Sequence, residues 1–302
     1  MQPTQQAPQQ PPPTQPPDPH TKVPQLRVPA GAIDCHVHLF GPAARYPFHP
    51  GSKYSSADAL PQTQIAMQDT LGLAGAVVVS GGGYGRTTQH LEDVLTAFPG
   101  RFRGVALLPE EVTPADIERL DKLGVRGARF VSEGHRGALP RLSARIAAMV
   151  AEFGWHVQFY PAHDDLVAHA DALLALGNDV VLDHFACLRA SGGTTQPGFT
   201  RLLQMLDTGK VWVKLSGPMR CADGDFPYAQ LTPMAQALAA HAPERCVWGS
   251  DWPHVNMNGR DRPNDGDLLD LLGEWVPDEA ARHNILVDNP RRLYGWPASV
   301  GG

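Results

Sequence analysis

From Gly31 onward the sequence repeats one unit eight times: a short β-branched run, a loop, an amphipathic stretch and then a glycine. The runs cover 32–37, 74–80, 103–108, 125–130, 155–160, 179–184, 211–216 and 245–250. Val77-Val78-Val79 and Val180-Val181-Leu182 are continuous apolar runs, as expected of parallel strands covered on the outside by helices. The intervening stretches carry stripes at the helical period, such as Leu91, Val94, Leu95 and Phe98, or Leu142, Ile146, Met149, Val150 and Phe153. Thr113-Pro114 reads as an N-cap with proline at the first helical position. Gly100, Gly124, Gly154, Gly177 and Gly209 stand where helices should stop. Eight such units predict an α/β fold, a (β/α)8 TIM barrel. The alternative, a doubly wound open sheet, is weakened because no G-x-G-x-x-G follows the first run. A single domain is expected over 31–297, closed by a short helix at Asn289-Pro290-Arg291-Arg292-Leu293-Tyr294.

Residues 1–30 differ in kind. They are rich in Gln and Pro and nearly free of large apolar side chains. Such a segment buries too little surface to offset its ordering entropy, so a disordered or polyproline-like tail is predicted. It has no apolar core of a secretory signal. The net charge of −6, without long single-sign runs, argues against a nucleic-acid partner. No apolar stretch approaches the ~18 residues of a membrane span. Cys35, Cys187, Cys221 and Cys246 are scattered without C-x-x-C spacing, which predicts reduced thiols and a cytoplasmic location. The composition is compatible with a homo-oligomer.

Polar residues gather at the ends of the predicted strands, the rim where barrel chemistry sits. His36 and His38 are two apart, so a regular strand aims both to one face, with Asp34 one step deeper. Val180-Val181-Leu182-Asp183-His184 and Val247-Trp248-Gly249-Ser250-Asp251-Trp252-Pro253-His254 end the sixth and eighth strands. Three imidazoles and one carboxylate (His36, His38, His184, Asp251) suit a zinc or manganese ion. They suit metal-free hydrolysis equally: Asp251 takes a proton from water while the histidines polarise a carbonyl. Lys214, if inward, needs a buried partner, and Asp34 is the candidate. Arg129 and Arg220 are candidate carboxylate forks. Arg126, an odd number of residues from Arg129, is assigned to the outer layer of a regular strand. Tyr160 could donate its hydroxyl to a substrate. His20, His49, His90, His135, His163, His169, His241 and His283 read as surface residues.

The order of these motifs resembles a known family. Gly31-Ala32-Ile33-Asp34-Cys35-His36-Val37-His38-Leu39-Phe40-Gly41-Pro42, Tyr46-Pro47-Phe48, Lys53-Tyr54, Arg126-Gly127-Ala128-Arg129-Phe130, Gly154-Trp155-His156-Val157, Asp183-His184 and Trp248 to His254 carry the likeness. Together they resemble amidohydrolase family 2 and, within it, the 2-pyrone-4,6-dicarboxylate lactonase-like hydrolases. The resemblance implies a distorted barrel that opens the ring of a small anionic lactone. Asp251 would serve as general base, with His36, His38 and His184 on the carbonyl. It places Tyr54, Arg126, Arg129, Tyr160, Arg220 and His254 near the substrate. It also implies that no metal is required, with one zinc or manganese ion on His36, His38, His184 and Asp251 as the alternative. A zinc-dependent decarboxylase or hydratase of a ring-cleavage acid is the second reading. Two departures, Gly82 in place of serine and Phe185-Ala186-Cys187-Leu188 after His184, remove or move two polar substrate contacts, so a muconolactone or sugar-acid lactone fits as well as 2-pyrone-4,6-dicarboxylate.

Overall fold

A computed structural model describes residues 13–132, 141–163, 165–257 and 259–297. Eight parallel strands pair in sequence order: β1 (Ile33–Val37), β2 (Gly75–Val79), β3 (Phe102–Ala106), β4 (Val125–Val131), β5 (His156–Tyr160), β6 (Val180–Leu182), β7 (Val211–Ser216) and β8 (Cys246–Gly249). Helices α1 (Pro61–Leu71), α2 (Gln89–Ala97), α3 (Pro114–Leu123), α4 (Ala144–Ala151), α5 (Leu166–Leu174), α6 (Pro197–Asp207), α7 (Thr232–His241) and α8 (Asp265–Trp275) alternate with them. The capping signals act as read: Thr113 and Asp116 form a reciprocal capping box at α3, and Gly124 ends that helix in the left-handed conformation. No helix of the described residues is long and apolar enough to cross a membrane.

Two apolar layers follow from this order. Leu91, Val94 and Leu95 of α2, together with Ile146 and Val150 of α4, join one large cluster that fills the space between helices and sheet. Ile33, Cys35, Val77, Val79, Val105, Val181, Trp212 and Val247 form a second cluster, with Tyr294 and Trp296. Its strand members come from six of the eight strands, so it plugs the barrel interior beneath the rim formed by the strand ends.

The barrel closes between β8 and β1 just past their ends. Asp251 N donates to His36 O at 2.9 Å and His38 N donates to Trp252 O at 2.7 Å. Beneath these bonds, the buried carboxylate of Asp34 accepts from His36 N and Ser250 N, both at 3.0 Å. Gly249 lies against β1 so closely that a Cβ there would stand 2.7 Å from His36 Cβ and 2.8 Å from His36 N. A register shift between Asp34 and Val37 breaks the strand alternation. Asp34 therefore serves the seam rather than the face of His36 and His38 expected from the sequence.

Residues 13–29 also differ from expectation. Pro13 and Thr14 pair in parallel with Ser55 and Ser56. Arg262 donates to the carbonyls of Gln15 at 3.1 Å and Pro16 at 2.6 Å. Asn264, the N-cap of α8, donates to His20 O and accepts from Lys22 N, each at 2.9 Å. The segment has little apolar surface, but a folded polar surface supplies partners for its backbone groups, which propensity cannot register. Residues 1–12 lie outside the described residues, as does His135. His90, read as a surface residue, is buried and packs edge-on against Tyr46, 4.7 Å between ring centres.

Gly249→Ala is expected to lower the unfolding free energy by about 2 kcal/mol, because the added methyl meets β1 backbone that cannot yield without opening the seam. A wild-type urea midpoint for that variant would contradict this account.

Candidate active site

The seam delivers the first three groups. His36 and His38 leave β1 with their Nε2 atoms 3.3 Å apart. Asp251 follows β8 by two residues and adopts φ +65°, a left-handed conformation that turns its carboxylate back over the barrel. Asp251 Oδ1 stands 3.8 Å from His36 Nε2 and 3.7 Å from His38 Nε2. His184, beyond the end of β6, adds a third Nε2 at 3.8 Å from the same oxygen. It opens a run of four left-handed residues, His184, Phe185, Ala186 and Cys187, with φ between 48° and 55°. At about 1–2 kcal/mol per residue this run is costly, and the buried packing around it holds the imidazole in place. Gly217 is required beside it, since a Cβ there would lie 2.6 Å from His184 Nδ1. Ser216 Oγ, 2.9 Å from that nitrogen, fixes the ring.

Beneath the imidazoles lies a buried charged layer. Arg129 on β4 donates through Nε and Nη2 to Asp183 Oδ2, at 3.2 and 3.0 Å. Lys214 on β7 donates to Cys35 O at 2.9 Å and to Gln158 Oε1 at 2.8 Å, and its Nζ stands 3.2 Å from His36 Nδ1. Its carboxylate neighbour is Asp183 at 3.6 Å, not Asp34. Asp34 is claimed by the seam amides, which corrects the expected pairing. Around the rim, Arg220 donates through Nε to Asp251 Oδ2 at 2.9 Å and through Nη2 to Val255 O at 2.7 Å. His254 Nε2 is 3.0 Å from Asp265 Oδ1 at the start of α8.

Of the residues expected near a substrate, Tyr54, Arg129, Tyr160, Arg220 and His254 come to this end of the barrel. The Tyr54 hydroxyl accepts from Gly83 N at 3.2 Å. The Tyr160 ring meets the His184 ring edge-on, 5.4 Å between centres. Arg126 does not join them. It sits at the opposite end of β4 and donates to the carbonyl and carboxylate of Asp121, at 2.9 and 3.0 Å. Strand parity had pointed to this outward position, against the family likeness. Arg129 and Arg220 are near the site, yet their forks are engaged by Asp183 and Asp251. Sequence reasoning passed over Asp183 and Gln158. The parity of Val181 and Asp183 was the available signal for the first, because a residue two beyond an interior valine faces inward.

Burial sets the protonation of these groups. It holds the imidazoles neutral: His38 and His184 are pushed down to about 4, and His36 falls well below its usual value, aided by Lys214. Burial opposes ionisation of Asp251, but the Arg220 guanidinium is the chief opposing influence and the carboxyl stays below the usual range. Arg129, His36 and Lys214 do the same for Asp183. Lys214 is lowered to about 8 by burial, partly offset by Asp183. Three cations, Arg129, Lys214 and Arg220, thus surround two carboxylates, Asp183 and Asp251.

The donor set also fits a metal ion. Ligands at about 2.0–2.1 Å from a tetrahedral zinc stand about 3.3–3.4 Å apart; here His36 Nε2 and His38 Nε2 are 3.3 Å apart, and Asp251 Oδ1 stands 3.7–3.8 Å from each of the three imidazoles. His36, His184 and Asp251 offer ligand atoms all within 4.8 Å of one another.

The amidohydrolase family model matches residues 33–296, the whole barrel and its closing helix. The chain belongs to the amidohydrolase family. This amidohydrolase is 35% identical to a 2-pyrone-4,6-dicarboxylate hydrolase of Comamonas testosteroni, over 90% of this chain and 92% of the other. It is 34% identical to a 4-sulfomuconolactone hydrolase of Rhizobium radiobacter, over 88% and 91%. The crystal structure of Agrobacterium tumefaciens ATU3138 superposes with a TM-score of 0.80 at 27% identity, covering 91% of this amidohydrolase and 99% of that chain.

Buried neutral imidazoles make stability fall in acid. His38 and His184 titrate near 4 and His156 near 3 in the fold, against a usual 6.5. His36 is shifted in the same direction. Between pH 6.5 and 4 the unfolded chain binds more protons, so stability drops as pH falls through that window. Asp34, raised to about 7 by burial, opposes this as a single group. The urea midpoint is expected to be lower at pH 5 than at pH 7, and an equal or higher value would contradict the assignment.

Proposed function

We propose that this amidohydrolase hydrolyses a small lactone bearing an anionic group, with Asp251 as the base that activates water. The observation that carries this reading is the position of Asp251 Oδ1. Arg220 occupies Oδ2, while Oδ1 faces His36, His38 and His184. A water lodged there would donate a proton to Oδ1 as its oxygen attacks the lactone carbonyl. Because Arg220 keeps Asp251 ionised but weakly basic, much of the barrier must be lowered at the carbonyl. A neutral imidazole can polarise that oxygen only through an N–H. His38 Nδ1 lies 2.7 Å from Val79 O, which can only accept, so its Nε2 is a lone pair. Polarisation therefore falls to His36 and His184 rather than to all three rings. When the tetrahedral adduct collapses, the ring C–O bond breaks and the proton held by Asp251 passes to the leaving oxygen.

The cations Arg129, Lys214 and Arg220 at the site favour an anionic substrate, and the two lactone-hydrolase relatives act on a dicarboxylate and a sulfonated muconolactone by name. With both arginine forks already engaged, the substrate anion meets them as a shared field more than as a private bidentate pair. If a divalent ion binds, His36, His38, His184 and Asp251 would hold it, and it would supply Lewis-acid polarisation and a more acidic water. The four buried free thiols suit a reducing compartment such as the cytoplasm.

The test is hydrolysis of a panel of carboxylated and sulfonated lactones by metal-stripped protein, then with zinc or manganese restored. Ring opening of at least one member is expected. No turnover under any condition would overturn the reading. Asp251→Asn is expected to keep the wild-type circular dichroism and lose at least about 100-fold in kcat. A folded variant with unchanged kcat would remove Asp251 from the role.

A further inference from the structure

We propose that Lys214 acts as a positioning residue that fixes the proton of His36 on Nε2 and so holds down the affinity of the site for a divalent metal.

The argument is a count of protons and lone pairs. Val79 O accepts from His38 Nδ1 at 2.7 Å, which leaves His38 Nε2 bare. His36 Nε2 faces that bare nitrogen at 3.3 Å. With neither a cation nor a substrate between them, one of the two must carry a proton, so His36 is the Nε2–H tautomer and donates to His38 until a bound carbonyl oxygen takes that N–H. His36 Nδ1 is then a lone pair, and the nearest donor is Lys214 Nζ at 3.2 Å. Lys214 has three protons and three acceptors: Cys35 O, Gln158 Oε1 and His36 Nδ1. One directional chain therefore runs Lys214 to His36 to His38 to Val79 O.

A metal needs the opposite tautomer. His36 can ligate through Nε2 only if its proton moves to Nδ1, where it would meet a lysine N–H pointing the same way. The relief is close by: Asp183 Oδ1 is 3.3 Å from His36 Nδ1 and 3.6 Å from Lys214 Nζ, and has no hydrogen-bond partner among the described residues. In the metal-binding state that oxygen would accept from His36 Nδ1 and from the released lysine proton, as a carboxylate orienting a ligating histidine. Lys214 thus favours the water-activating donor set, and Asp183 the ligand set. The two share one imidazole. The inference concerns the site assigned above to lactone hydrolysis, but its readouts do not depend on turnover.

Two measurements on the full chain test it. In metal-stripped, 15N-histidine-labelled wild type, long-range 1H–15N spectra should show His36 protonated at Nε2 and His38 at Nδ1. Saturation with zinc should move the His36 proton to Nδ1. In Lys214→Met, zinc affinity measured by competition with a chromophoric chelator should rise at least about tenfold. A His36 ring protonated at Nδ1 in the metal-stripped wild type overturns the proposal, and so does a folded Lys214→Met variant with unchanged zinc affinity. If that variant does not fold, the wild-type spectra decide alone. Loss of lactonase activity with the expected spectra would sink the proposed substrate and leave this inference standing.

Discussion

The hydrogen bonds that close the barrel between β1 and β8 are the constraint on which the rest of the structure depends. His36 O and Asp251 N meet there, as do His38 N and Trp252 O. The same bonds that turn an eight-stranded sheet into a barrel therefore bring the acid beside two of its histidines. Asp34 makes the closure a polar event, because its buried carboxylate holds amides from both sides of the seam. Gly249 makes it a steric one, since any side chain would push the two edges apart. Closure and site assembly are one step, so damage at the seam should appear in both.

Electrostatics and strain act together above that seam. Five charged side chains, Arg129, Asp183, Lys214, Arg220 and Asp251, are withdrawn from water, and each survives there because its partners are built in. The left-handed residues cluster in the same place: His184, Asp251 and His254 all have positive φ. A strand that continued regularly past Leu182 or Gly249 would carry its side chains up and away. The reversed backbone instead turns the imidazole and carboxylate over the barrel mouth, and the surrounding packing bears the cost. The geometry of the candidate site is thus held by backbone conformation as much as by side-chain choice.

Most of the fold was legible in the sequence. Apolar runs of five or six residues, separated by helical stripes and ended by glycine, leave few other ways to bury themselves, and each of the eight predicted strands lies within two residues of an observed one. The four central residues were legible because each falls next to a strand end. What strand parity could see, it saw: the inward turn of Arg129 and the outward turn of Arg126. It failed at Asp34, where a register shift cancels the alternation. It also failed for residues 13–29, whose order comes from Arg262 and Asn264, more than 240 positions away along the chain.

The sequence by itself therefore determined the repeating strand–helix periodicity and the chemical types at the strand ends, because both are local properties of spacing and residue kind. Tertiary structure alone decided the partners. It gave Lys214 to Asp183 and His36 rather than to Asp34, engaged both arginine forks with carboxylates of the protein, and set which nitrogen of each histidine faces the others. These outcomes turn on distances of about 3 Å between residues far apart in sequence, and no pattern along the chain encodes which donor reaches a shared acceptor first.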